Sequence, residues 1–141
     1  MNKEHMAKLV QRINRKDWWH VPPCDPQAYA KRGKFLSSTF RMAEYWGRPL
    51  DTPERITVQN PLVGDEETIE RTLLGAPEPI DLNADNLADK QFAKDAKLYA
   101  AGRAHGYDAI VLLTPKAFVA FKIDGKLPIS MELNLLVGEW Q

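Results

Sequence analysis

The sequence predicts a single α+β domain, and three observations carry that reading. Apolar residues recur at helical spacing in several segments, β-branched and aromatic runs lie between them, and the last third ends in strand signals separated by a turn dipeptide. At 141 residues, the chain has the length of one domain and can bury a core without disulfide or metal support.

Met6, Leu9, Val10 and Ile13 fall at i, i+3, i+4 and i+7 and predict an amphipathic helix within residues 1–16, ahead of the α+β domain at 17–141. Its other face carries Lys3, Lys8, Arg12, Arg15 and Lys16, a basic stripe that is either solvated or able to touch phosphate. Asp17 to Val21 reads as an apolar strand. Pro22, Pro23 and Pro26 stop it, because proline cannot donate to a ladder. Lys34 to Ser37 is a short strand, and Ser37, Ser38 or Thr39 caps a helix through Met42 and Tyr45 to Gly47. Ile56 to Gln59 is a β-branched strand ended by Asn60-Pro61.

Asp65, Glu66 and Glu67 open the next helix, where negative charge suits the N-terminal dipole, and Gly75 ends it. A proline-marked loop from Ala76 to Asp81 leads to the longest helix, about Asn86 to His105, with Leu87, Phe92, Ala96 and Tyr99 near one side. Three strands are expected after it: Ala109–Leu113, Ala117–Ile123 and Ile129–Val137, with Asp124-Gly125 as a hairpin turn. In the last of them Ser130, Glu132 and Asn134 alternate with Met131, Leu133 and Leu135, which gives one polar face.

Composition narrows the function classes. Lys and Arg number 19 against 19 Asp and Glu, so no net charge favours nucleic acid or a membrane surface. Hydrophobic residues at 44% and charged residues at 27% exclude a disordered or collagen-like chain. Cys24 stands alone, so neither an intramolecular disulfide nor a cysteine-based zinc site is available. The N-terminus is charged and lacks an apolar signal core, no stretch approaches the ~18 apolar residues of a membrane helix, and a cytoplasmic setting is expected. Phosphate-binding GxxxxGK[ST], strand-following GxGxxG and HExxH motifs are absent, and His5, His20 and His105 are too scattered to propose a metal site.

What remains is polar residues set in apolar strands. His20 ends Trp18-Trp19-His20; Ser37, Ser38 and Thr39 precede the helix that carries Tyr45; Glu132 lies on the polar face of the last strand. Each has a structural reading: a satisfied buried histidine, a helix cap, and a carboxylate facing water on an edge strand. Together they are a set that can converge on one cleft. Trp18, Trp19 and Trp46 are core residues if buried and binding anchors if exposed.

This ordered set resembles the ADP-ribosyltransferase family, especially its compact toxin and polyvalent phage-protein versions. His20 is similar to the family's first-strand residue, Phe35-Leu36-Ser37-Ser38-Thr39 to its second motif, and Ala43-Glu44-Tyr45 to its Ala-x-x-Tyr step. Ile56 to Leu62, with Asn60-Pro61, and Gly106-Tyr107-Asp108-Ala109 resemble further steps, so the likeness spans Trp18 to Val137. For the late-strand acid two alignments are open. Ser130-Met131-Glu132 supplies Glu132, whereas Ala117-Phe118-Val119-Ala120-Phe121 has the shape of the motif without its Glu. The resemblance implies that fold, with NAD as substrate and transfer to a protein or nucleic-acid target. It implies a catalytic Glu132, ribose contacts from His20 and the Ser37 hydroxyl, Ser38 and Thr39 in the same NAD-binding step, and Tyr45 stacked on nicotinamide. Under the Ala117 alignment it implies an inactive binding or inhibitory module instead.

Overall fold

In the computed structural model, which describes residues 1–141, five strands form one mixed sheet. They are β1 (Trp19–His20), β2 (Lys34–Ser37), β3 (Pro61–Gly64), β4 (Ala109–Leu112) and β5 (Glu132–Leu135), in the spatial order β1-β2-β5-β4-β3. β3 and β4 run parallel, and the other pairs are antiparallel. Six helices complete the α+β domain: α1 (Lys3–Arg15), α2 (Ala28–Arg32), α3 (Phe40–Glu44), α4 (Glu66–Leu74), α5 (Leu87–Ala104) and α6 (Pro115–Asp124).

Each face of the sheet has its own apolar layer. On one, Leu36, Val63, Val111 and Leu133 meet Leu9 and Ile13 of α1 and Phe118 and Phe121 of α6. On the other, Leu62 and Ile110 meet Ile69 and Leu73 of α4 and Tyr99 of α5. The N-terminal helix therefore docks into the main core through its apolar stripe and leaves Lys3, Lys8, Arg12 and Arg15 exposed. Of the residues expected along one side of α5, Tyr99 is buried and Phe92 is exposed under the Arg32 guanidinium; Lys94 and Gly102 fill the inward positions instead.

Capping chemistry decides where the sequence expectations hold and where they fail. Thr39 accepts the Met42 N–H and starts α3, and Asp65 accepts the Thr68 N–H and starts α4, which Gly75 ends in a left-handed conformation. The expected strand Ala117–Ile123 is a helix. Thr114 caps it through the Ala117 N–H, Pro115 occupies its first turn, and Gly125 (φ 69°) closes it. Asp124-Gly125 is accordingly a helix end and not a hairpin turn. Ile56–Gln59 lies outside the sheet: Ile56 and Val58 pack into the core, and the Asn14 side chain bonds both the N–H and the C=O of Val58 in place of a neighbouring strand. The strand begins at Pro61 instead, on the outer edge where its missing N–H is tolerated. β1 and β5 are shorter than the expected Asp17–Val21 and Ile129–Val137.

Candidate functional site

Register assembles the site. In the antiparallel ladder Ser37 opposes both Trp19 and Glu132, and Glu132 opposes Leu112, so these four side chains share one face of the sheet. Glu132 is the only acidic residue in any of the five strands. Ser37 is buried, and its hydroxyl takes no part in the hydrogen bonding of the fold.

The step after β2 brings α3 over this row. Ser38 is buried; its Oγ accepts the Met131 N–H at 2.8 Å and donates to Met42 Sδ at 3.6 Å. One hydroxyl thus ties α3 to the residue before Glu132. Thr39 spends its side chain on the helix cap. At the far end of α3, Tyr45 and Trp46 project outward, 82% and 61% exposed, with their rings edge to face at 5.0 Å. The Trp46 indole N–H donates to Glu132 Oε1 at 3.3 Å. Trp19 packs edge to face on Phe40 at 5.1 Å, and the half-exposed Phe35 lies on the same face as Ser37. Glu132 and Trp46 thus meet at the surface of this face, with Tyr45 against the Trp46 ring and the buried Ser37 beside Glu132 in the ladder.

Glu132 enters no ion pair; its one side-chain partner is the uncharged indole. Its negative charge is therefore not neutralised by the protein. Arg41 and Arg48, exposed on and just beyond α3, also lack an acidic partner.

His20 does not join this group. It opposes Leu36, one residue out of phase with the Ser37 row, so its ring lies on the other face of the sheet and is buried there. The Phe35 carbonyl, 2.7 Å from Nδ1, can only accept, so Nδ1 carries the proton. Nε2 then accepts from the Tyr29 hydroxyl at 2.9 Å. Burial holds the imidazole below its usual pKa, against the pull of the Phe35 carbonyl. In that tautomer both ring nitrogens are satisfied, and the ring ties β1 to β2.

Two surface hollows lie away from the site. One of about 490 Å³ runs between Met6 and Val10 of α1 and Asn60-Pro61; the other, of about 600 Å³, lies between Tyr29, Lys34, Glu54 and Trp140. No cluster of three His, Cys, Asp or Glu side chains gathers at metal-binding spacing, and no helix is long and apolar enough to cross a membrane. Trp46 was legible in the sequence only as a core residue or an exposed anchor. Its partner lies 86 positions away, and nothing local signals that contact. Comparison with protein-family models, with curated proteins and with solved structures finds no match to this chain.

Proposed function

We propose that the protein is an NAD-dependent mono-ADP-ribosyltransferase-like enzyme, with a fold of that kind, acting through Glu132 on a protein or nucleic-acid target. The observation that carries this reading is the cross-strand pair of Ser37 and Glu132 on a face flanked by exposed Tyr45 and Trp46. Cleaving the nicotinamide–ribose bond sends the bonding electrons out with nicotinamide and leaves positive charge on the ribose. A carboxylate without a cationic partner stabilises that charge where it develops, and preorganised electrostatics of this type is often the largest catalytic contribution.

The donor set suits NAD. Glu132 accepts from ribose hydroxyls, the buried Ser37 beside it has a hydroxyl the fold leaves unpaired, Tyr45 and Trp46 present ring faces to nicotinamide, and Arg41 and Arg48 supply charge for a pyrophosphate. Ser38 and Thr39 support the site through the fold, and His20 positions β1 from behind the sheet. The alignment that placed the late strand at Ala117 loses its basis, since that segment is α6.

The exposed Tyr45 and Trp46 also favour a second reading, a non-catalytic binding module that uses them as anchors. Incubating the full chain with labelled NAD, alone and with candidate protein and nucleic-acid targets, separates the two. Nicotinamide release or label transfer is expected. Absence of both overturns the enzyme reading, and NAD binding without turnover leaves the binding module.

A further inference from the structure

We infer that Trp46 is the positioning residue of the Glu132 carboxylate, holding Oε1 through its indole N–H and leaving Oε2 to a ligand hydroxyl. The inference rests on the proposed function for the identity of that ligand, a ribose, but its geometry stands independently. A tryptophan left 61% exposed gains little from burial. The polar contact it makes spans 86 positions to the one acid of the sheet, at 3.3 Å. No other side chain hydrogen-bonds that carboxylate, so the Trp46 N–H is the one polar side-chain contact that orients it.

Local structure is arranged to place the indole there. The Thr39 cap starts α3, and the Ser38 hydroxyl fastens α3 to Met131, the neighbour of Glu132. The chain then leaves α3 through bonds from the Trp46 N–H to the Ala43 carbonyl and from the Gly47 N–H to the Glu44 carbonyl. Gly47 sits at φ 150°, and a Cβ there would fall 2.8 Å from Val21 Cγ1, so glycine suits this turn where it closes against the residue after β1. An indole N–H is a donor without charge. It fixes the carboxylate while leaving the charge intact, which an arginine or lysine in its place would not do.

Two measurements test this on the full chain. The first needs no NAD: the indole N–H resonance of Trp46, identified by its disappearance in Trp46→Phe, is followed in Glu132→Gln and Glu132→Ala. A shift in Glu132→Ala, and a smaller one in Glu132→Gln, whose amide oxygen can still accept the bond, is expected with the other three indole resonances in place; an unmoved resonance in Glu132→Ala overturns the inference. The second is turnover of NAD by Trp46→Phe, which keeps an aromatic ring but loses the donor. A fall in kcat of roughly tenfold with KM little changed is expected for loss of one hydrogen bond to a charged group. Wild-type kcat in Trp46→Phe overturns the inference while leaving the proposed function intact. If the wild type does not turn NAD over, the proposed function fails, and the resonance alone decides for or against Trp46.

Discussion

Asp108, the residue before β4, holds the backbone of Asn60, the residue before β3: Oδ1 accepts the Asn60 N–H at 3.0 Å while Oδ2 accepts the Gln59 N–H at 2.6 Å. The Asp108 N–H returns a bond to the Asn60 carbonyl at 3.2 Å, and Asn60 Nδ2 donates to the Gly106 carbonyl at 3.0 Å. Two short motifs far apart in the chain, Asn60-Pro61 and Gly106-Tyr107-Asp108, are thus one structural knot. It sits at the start of β3 and β4 and sets their parallel register, Pro61 beside Ala109. Their work is to align the sheet that carries Glu132, at a distance from any chemistry.

Asp108→Ala is therefore expected to destabilise the fold without changing the site directly. Two N–H groups lose a charged acceptor, and partial water access replaces some of it, so the loss should be about 2 kcal/mol. Asp108→Asn retains one acceptor oxygen and should cost about half as much. Urea denaturation of both variants checks the order; equal stability of Asp108→Ala and wild type would show that the knot contributes nothing.

His20 predicts a pH dependence. Burial keeps the folded imidazole below the ordinary value of 6.5, so under mildly acidic conditions the unfolded chain binds a proton that the folded chain refuses. The associated stability is fully present above 6.5 and is lost as pH falls through that value toward the lower folded pKa. His20→Gln removes this proton uptake. The difference in unfolding midpoint between wild type and His20→Gln, followed from about pH 7.5 to pH 5.5, should move against the wild type as pH falls. A difference independent of pH would mean that His20 is not held neutral.

How much of this was legible in the sequence follows from the range of the forces involved. β2 (Lys34–Ser37), the Thr39 and Asp65 caps and β4 are written in contiguous residues and stand where pattern and capping put them, whereas α5 keeps its expected extent but not its expected apolar side. α6 shows two local signals in conflict. Phe118, Val119 and Phe121 favour a strand by propensity, but Thr114-Pro115 and Gly125 satisfy the helix ends, and the caps prevail. For Ile56–Gln59 the missing information was tertiary, because Asn14 supplies the hydrogen bonds a strand partner would have made. The site divides the same way. Glu132 follows from strand alternation, whereas its pairing with Ser37 and the separation of His20 from both depend on a register that no local pattern fixes.

Lys94 and Glu70 form a buried ion pair at 2.8 Å, with Glu66 beside them at 3.2 Å. Burial works against the ammonium, but the hydrogen bonds and charges of Glu70 and Glu66 outweigh it and hold its pKa above the usual lysine value. Glu70 also accepts the Glu78 N–H, so the pair pins α4, α5 and the loop between them. Lys94→Met strands a buried carboxylate and should cost about 3–5 kcal/mol. Lys94→Met with Glu70→Leu removes both charges and should recover most of that loss, short of the ~1 kcal/mol owed to the Glu78 bond. A double variant no more stable than Lys94→Met, by urea denaturation, would locate the damage in packing and not in charge.

Glu132→Gln separates chemistry from folding at the proposed site. The substitution is close to isosteric, and Gln can still accept the Trp46 indole N–H, so stability should change by no more than about 0.5 kcal/mol. What is lost is the charge. If the carboxylate stabilises developing positive charge on ribose, turnover of NAD should fall roughly 10²–10³-fold, the scale observed when one preorganised electrostatic group is removed. NAD binding should change far less, because the charge matters most where it builds up during bond cleavage. Ser37→Ala provides the contrast: it removes a buried hydroxyl, opposite Glu132 in the ladder and unused by the fold, and under the proposed function it should weaken binding before it slows the chemical step. Full activity in Glu132→Gln would remove this carboxylate from the reaction, and with no other acid in the sheet the transferase reading would go with it.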